Sequence, residues 1–463
     1  MIINVKNIDY PDYVDRVKQI NAGQLKKAHI FTFGCQQNEA DSEKILGMCE
    51  SMGYEKTDIP EEADIIILNT CAIRQHAEDK ALSMLGRFKA LKKKKSDLII
   101  GVCGCMAAEE HVKELIKNDF HYVTFTLEPG MIHMIPSLVY KALNDGKRNF
   151  ILGTDSTDVA EGMPISRQHG HKAWVSIMYG CNNFCSYCIV PYVRGRERSR
   201  SAEDIIAECR FLVEDGVKEI TLLGQNVNSY RGECDFPSLL ERIALIDGDF
   251  IIRFMTSHPK DVSDALIDVM RRFSPKIAPY FHLPLQSGSN RILKAMNRTY
   301  NRDRFLEIVG KLRESIPDIC LSTDVIVGFP TESEDDFLDT LDVLVKSEFD
   351  MLFAFKYSPR EGTPAARMDA QVEESVKDER IARLLKMQDS ISLKNNEKKV
   401  GKVYRVLVDS LSKRKDKSTV NARTSSNKLV HFEADESYIG QFVNVEITCA
   451  GVYELYATVI NEK

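Results

Sequence analysis

The 463-residue sequence predicts an α/β protein in three parts: a doubly wound amino-terminal domain, a partial (β/α)6 TIM-like barrel and a small carboxyl-terminal β-barrel of the OB-like kind. Three observations predict it. Continuous apolar runs alternate with helical stretches over residues 28–144, the pattern of parallel strands covered on both faces. A second strand–helix series with six strands fills residues 172–398, which fits a partial barrel better than another open sheet. From Gly401 onward the pattern shortens to five alternating strands, as in a small barrel.

Residues 1–26 are polar, show no clear strand, and are read as an extension packed on the first domain. That domain, 27–145, opens with a strand at 28–34 and a helix at 38–52 closed by Gly53. Strands at 63–69, 97–103 and 122–126 then alternate with helices at 75–91, 107–117 and 131–144. Residues 146–166, rich in turn-forming types and without periodicity, are a linker. The core, 167–398, has strands at 172–179, 219–223, 251–256, 278–283, 321–327 and 352–357. Helices follow the first five, and a polar helix over 375–398 ends the core. The last domain, 399–463, carries strands at 403–408, 419–422, 428–432, 442–449 and 454–460.

Lys plus Arg is 62 and Asp plus Glu is 68, so the net charge of −6 excludes a globally basic nucleic-acid binder. An RNA partner would need a local basic patch. At 43% hydrophobic residues the chain is not mostly disordered. No apolar run approaches a membrane span, and the first ten residues lack a secretory pattern, so no membrane partner and a cytoplasmic location are expected. Twelve cysteines in a reducing compartment point to metal binding or catalysis rather than disulfides.

The strongest motif is Cys181-Asn-Asn-Phe-Cys185-Ser-Tyr-Cys188, on a loop opened by Gly180 just past the first barrel strand. Three thiolates so spaced can wrap three corners of an iron–sulfur cube and leave the fourth iron open. A structural zinc site is the alternative; it wants four ligands, usually in paired knuckles. A second triplet has no local spacing. Cys35, Cys71 and Cys105 each lie just past the carboxyl end of a predicted parallel strand, where one crevice collects ligands. Three converging thiolates there suggest a second cluster. Cys103 competes with Cys105, but it belongs to the apolar strand run, and the loop residue Cys105 is favoured.

The triple-cysteine spacing at the head of a βα series resembles the radical S-adenosylmethionine (SAM) superfamily. Thr32-Phe-Gly-Cys-Gln-Gln-Asn38, Asn69-Thr-Cys-Ala-Ile-Arg74 and Gly104-Cys-Met106 resemble the amino-terminal domain of the methylthiotransferase family. Residues 179–200 and Leu223-Gly-Gln-Asn-Val-Asn-Ser-Tyr230 resemble its tRNA-modifying branch, and the last barrel is similar to a TRAM domain, an RNA-binding module. Together these cover about residues 27 to 462.

The resemblance implies two [4Fe–4S] clusters: one on Cys181, Cys185 and Cys188 whose open iron chelates SAM, and an auxiliary one on Cys35, Cys71 and Cys105. It implies two SAM per turnover, one methylating a sulfur at the auxiliary cluster and one cleaved to a 5′-deoxyadenosyl radical. The expected reaction is methylthiolation of C2 of N6-isopentenyladenosine at position 37 of tRNA, with an electron donor such as flavodoxin or ferredoxin and the enzyme acting as a monomer. Tyr187 matches the position near the adenine of SAM. Gly224, Gln225 and Asn226 end the second barrel strand and are candidates for the methionine end, or else form a turn. Asp324, a charge inside an apolar strand, is a cofactor or substrate contact or half of a buried ion pair.

RNA contact is expected from Arg194, Arg196 and Arg198 beside the cluster loop, and from Lys413, Arg414, Lys415 and Arg423 in the last barrel. The alternatives are a methylthiotransferase acting on threonylcarbamoyladenosine, and a non-catalytic RNA-binding iron–sulfur sensor that would not cleave SAM.

Overall fold

The computed structural model describes residues 2–5, 9–72, 75–151, 159–167, 170–412 and 419–460. The amino-terminal domain is built on one parallel sheet in the order Tyr54–Lys56, Lys26–Thr32, Ile65–Thr70, Ile99–Gly104, Phe125–Leu127, Asn149–Phe150. Its inner strands are apolar on both faces. Ile65 and Ile67 pack with Ile45 and Met48 on one side, and Ile66 and Leu68 with Leu85 and Phe88 on the other. Chain order reverses between Lys26–Thr32 and Ile65–Thr70, and a crevice opens beyond the carboxyl ends of strands at such a switch point.

The sequence reading missed four short strands and one helix here. Tyr54–Lys56 and Asn149–Phe150 are edge strands too short and too exposed to show an apolar run. The amino-terminal extension is not featureless: Ile2–Asn4 pairs in parallel with Val159–Glu161, and Tyr10–Asn21 is a helix. That helix buries Val14 and Val17 in the first apolar layer and sets Tyr13 5.7 Å from Tyr140.

The core is the predicted open barrel. Lys172–Ser176, Glu219–Leu223 and Ile251–Phe254 form one parallel arc; Tyr280–His282, Cys320–Val327 and Met351–Lys356 form another. A parallel bridge between Ile252 and Ile277 joins them. Among the described residues the first and sixth strands do not pair. The predicted strand 172–179 breaks at Ile177; Met178–Tyr179 turns away to pair antiparallel with Arg198–Ser199. This pairing fastens the base of the loop that carries the three spaced cysteines.

The last domain is a closed barrel in the order Val403–Leu411, Thr419–Thr424, Leu429–Glu433, Glu454–Val459, Phe442–Ala450. It docks on the amino ends of the core strands, opposite the cysteine loop. Arg253 donates to the Thr424 and Ser425 carbonyls at 2.9 and 2.7 Å, and Lys172 pairs with Asp409. No helix among the described residues is long and apolar enough to cross a membrane.

Candidate iron–sulfur centres and the surface around them

The loop after Tyr179 stands at the carboxyl end of the barrel, where folds of this kind place their sites. Gly180 opens it with φ +78°, and a Cβ there would run into the Arg196 carbonyl. The Gly180 amide donates to Gln225 Oε1, and the Cys181 amide to the Gly195 carbonyl at 3.1 Å. The far side rests on the helix Asn290–Ala295. Ser186 Oγ donates to the Ala295 carbonyl at 2.8 Å, and Asn297 Nδ2 donates to the Phe184 carbonyl at 2.9 Å.

Arg298, which is buried, donates from Nη1 to Cys185 Sγ at 3.3 Å and from Nη2 to the Pro284 carbonyl at 3.2 Å. Burial, reinforced by Cys185, pushes the Cys188 thiol up to about 12, and burial pushes Cys181 up to about 11. Thiols so placed keep their protons until a metal takes them, so metal loading here releases protons.

The second triplet follows three neighbouring strands. In the sheet register Thr32 lies beside Asn69, and Asn69 beside Cys103; Cys35, Cys71 and Cys105 come just beyond. Gly34 allows the approach: its Cβ would stand 2.7 Å from Cys71 Cβ. Cys35 is the N-cap residue of the helix Gln36–Ser51, in extended backbone just before its first turn. Asn38 Nδ2 donates to Asn69 Oδ1 at 3.0 Å and to the Thr70 carbonyl at 2.8 Å, tying that helix start to the strand end. Burial pushes Cys105 up to about 12 against the opposing pull of Arg194, with Cys71 and Cys35 adding to the rise. Cys103 points instead into the apolar layer with Ile45, Met48 and Cys49.

Among the described residues no three His, Cys, Asp or Glu side chains converge closely enough for one metal ion. A zinc site needs that convergence, whereas a four-iron cube takes one thiolate at each of three corners. Two thiol triplets at strand ends, each with an arginine N–H on one sulfur, fit clusters in that sense.

The structure redistributes the arginines. Arg194, expected to face RNA, is 7% exposed and donates from Nε to Cys105 Sγ at 2.9 Å, with Asp41 and Asn38 around it. It is inside the domain interface and not available to a phosphate. Arg423 pairs with Asp409 in its own barrel at 3.3 Å, and Arg198 is half-buried, donating to the Arg194 carbonyl. Arg196 is exposed, its guanidinium 4.3 Å over the Phe184 ring. Lys413, Arg414 and Lys415 lie outside the described residues.

Tyr187 is half-buried beneath the cysteine loop, packed with Ile292, Met296, Phe329 and Tyr357. Gly224 lies against Met178, and Asn226 Nδ2 donates to Asp261 at 2.8 Å while its buried Oδ1 has no hydrogen-bond partner. An acceptor held so at a strand end fits a ligand carrying donors. Asp324 is half-buried, with its Oδ2 3.4 Å from His282 Nε2, a contact that is an ion pair only when that imidazole is protonated. Arg298, Asn38 and Asp41 were missed as site residues, because nothing in their spacing sets them apart from surface polar residues.

Three sequence families match in succession: the uncharacterized protein family UPF0004 over residues 27–127, the radical SAM superfamily over 175–344 and the TRAM domain over 397–460. The radical SAM methyltransferase TsrM from Kitasatospora setae shares the fold with a TM-score of 0.54 at 12% identity, over 74% of this chain and 75% of that one. Fold and matches together define a radical SAM enzyme flanked by two further domains, and that class brings a [4Fe–4S] cluster and SAM with it.

Much closer in sequence is the tRNA-2-methylthio-N(6)-dimethylallyladenosine synthase of Thermoanaerobacter sp. (strain X514), 49% identical over 93% of this chain and 92% of the relative. The synthase of the same name from Caldicellulosiruptor saccharolyticus is 48% identical over 97% of both chains. The chain belongs to this family of methylthiotransferases.

Proposed function

We propose that the protein methylthiolates C2 of N6-isopentenyladenosine at position 37 of tRNA, with SAM as methyl donor and radical source. The observation that supports this reading is that the segment following the first thiol triplet packs on a cysteine of the second, with Ile189 and Val193 against Cys105. Arg194, six residues past Cys188, touches Cys105. When bound, a [4Fe–4S] cluster with SAM on Cys181, Cys185 and Cys188 supplies the 5′-deoxyadenosyl radical, and a second cluster on Cys35, Cys71 and Cys105 supplies the methylated sulfur.

The chain's own residues position and shield. Gln225 and Gly195 fix the start of the cysteine loop, and Asn297 and Ala295 fix its middle. Asn226 Oδ1 offers an acceptor to SAM's amino group, and Tyr187 offers an apolar surface to its adenine. Ile189 and Val193 cover Cys105 and Ala72, keeping water from the interface.

On the exposed side, Tyr192 is 51% exposed and lies 5.9 Å from Phe184, whose ring Arg196 covers. Aromatic faces beside a guanidinium are what unstacked RNA bases bind. The substrate's backbone meets Arg196, with Lys413, Arg414 and Lys415 as further phosphate partners. The enzyme acts as a monomer in the cytoplasm and takes electrons from a flavodoxin- or ferredoxin-like donor.

The test is nucleoside analysis of tRNA from a deletion strain. Loss of 2-methylthio-N6-isopentenyladenosine with the unthiolated base accumulating is expected. Normal levels, in a strain without a second such enzyme, contradict the reading. In purified reconstituted protein, Cys185→Ala should abolish 5′-deoxyadenosine formation.

A further inference from the structure

A guanidinium of the barrel domain is buried inside the thiol site of the amino-terminal domain. Arg194 Nε lies 2.9 Å from Cys105 Sγ, and Nη2 lies 3.3 Å from Asn38 Oδ1. A buried charge needs an opposite one close by. The carboxylate at hand, Asp41, is reached only at 3.4 Å and through one oxygen, well short of the bidentate 2.7–2.9 Å pair that Arg forms when a carboxylate is its main partner. The guanidinium is aimed at sulfur, and the charge it is placed to neutralise is that of a metal-bound Cys105 thiolate.

Its delivery is built in. Arg194 ends the short helix Val190–Val193, its amide donating to the Val190 carbonyl at 2.8 Å. Ile189 and Val193 of the same segment pack on Ala72 and Cys105. The chain therefore runs from Cys188 of one triplet, through an apolar seal, to a hydrogen bond on a sulfur of the other.

We propose that Arg194 is a positioning residue of the auxiliary centre: carried across the interface by the barrel domain, it holds the Cys105 sulfur and raises the reduction potential of a cluster bound by Cys35, Cys71 and Cys105. This rests on the auxiliary-cluster reading above. Hydrogen bonds to cluster sulfurs and nearby net charge set such potentials, and a fixed positive charge favours the more negative, reduced state. Asp41, on the same guanidinium, has the opposite sign of effect.

The test uses the full-length chain with Cys181, Cys185 and Cys188 changed to Ala, so that only the auxiliary site can take iron. The protein is reconstituted anaerobically, assayed for iron and sulfide, and titrated by electron paramagnetic resonance. Arg194→Gln should lower the midpoint potential and alter the spectrum. Arg194→Lys, which keeps the charge but loses the planar fork, should give a smaller shift in the same direction. Asp41→Asn should raise the potential.

An unchanged potential and spectrum in Arg194→Gln overturns the proposal; if that variant does not fold, an unchanged Arg194→Lys does so. Shifts of the same sign in Arg194→Gln and Asp41→Asn also overturn it, since they would show an ion pair that merely packs the interface. If the triple-alanine parent takes up no four-iron cluster, the auxiliary-cluster reading itself fails, and the proposal with it.

Discussion

A buried guanidinium must direct its donors to fixed acceptors. Arg298 donates to Cys185 Sγ, and its remaining donors reach the Pro284 carbonyl and the Tyr300 hydroxyl. Arg298→Met should lower iron retention by the barrel loop and destabilise the protein by about 1–3 kcal/mol, the usual loss when a buried hydrogen-bonding group is removed; iron assay and denaturant melts read the two effects. Glu109, near the interface, behaves oppositely to most surface carboxylates. Burial and Glu78 push it up to about 7, against the pull of His111 and Arg360. A carboxyl raised in the fold favours folding below the unfolded value of 4.5 and loses that contribution as pH rises through 7. The melting temperature should therefore fall between about pH 5 and 7.5, and Glu109→Gln should flatten that slope; an unaltered slope contradicts the assignment. At this scale the sequence was only partly legible. Cysteine positions could be read because strand ends are visible as apolar runs. Arg194 was misread because its surroundings in sequence are basic, while the partners that bury it, Cys105 and Asp41, are brought by another domain.

Elements whose burial is two-sided were the easiest to read. Ile65–Thr70 and Ile99–Gly104 are buried throughout, and the unbroken apolar run at 65–68 reflects cover on both faces, so no alternation hides them. Tyr54–Lys56 and Asn149–Phe150 escaped because an edge strand is only half-buried and can be three residues long or fewer. The break of the first barrel strand at Ile177 was also invisible. Its cause is the pairing of Met178–Tyr179 with Arg198–Ser199, which the local sequence does not announce. That small ladder has a function that can be isolated. Gly180 follows it at φ +78°, a region costly for any other residue, and a Cβ would meet the Arg196 carbonyl. Gly180→Ala should displace Cys181 and remove the barrel cluster while leaving the strand ends of the amino-terminal domain untouched. On the proposed two-cluster function, reconstituted iron should then drop from two clusters to one, with 5′-deoxyadenosine formation lost. Loss of both clusters together would mean that the loop also holds the interface.

The order of the three domains could be read from the changing period of the hydrophobic pattern, but their docking faces could not. Arg253 illustrates why. It stands in the apolar strand Ile251–Phe254, where a charge announces the need for a partner. The partners are Glu219 on the adjacent strand at 2.6 Å and the Thr424 and Ser425 carbonyls of the last barrel, too far along the chain to be guessed. This bolt joins the TRAM domain to the end of the core opposite the thiol sites, so on the proposed function tRNA docking and radical chemistry should be separable. Burial opposes the charge of Glu219, but Arg253 and Lys172 outweigh it and bring it down to about 2. A carboxylate lowered in this way contributes stability above its unfolded value of 4.5 and loses it as pH falls toward 2. Arg253→Met leaves Glu219 buried with Lys172 alone and leaves two carbonyls without their donor, a loss on the order of 3–5 kcal/mol. The acid limb of unfolding should move to higher pH, and the last barrel should melt ahead of the core in calorimetry. Cleavage of SAM in the absence of RNA should be retained, while KM for tRNA rises several-fold. If SAM cleavage falls in proportion to tRNA modification, Arg253 supports the core itself, and the separation of docking from chemistry is wrong.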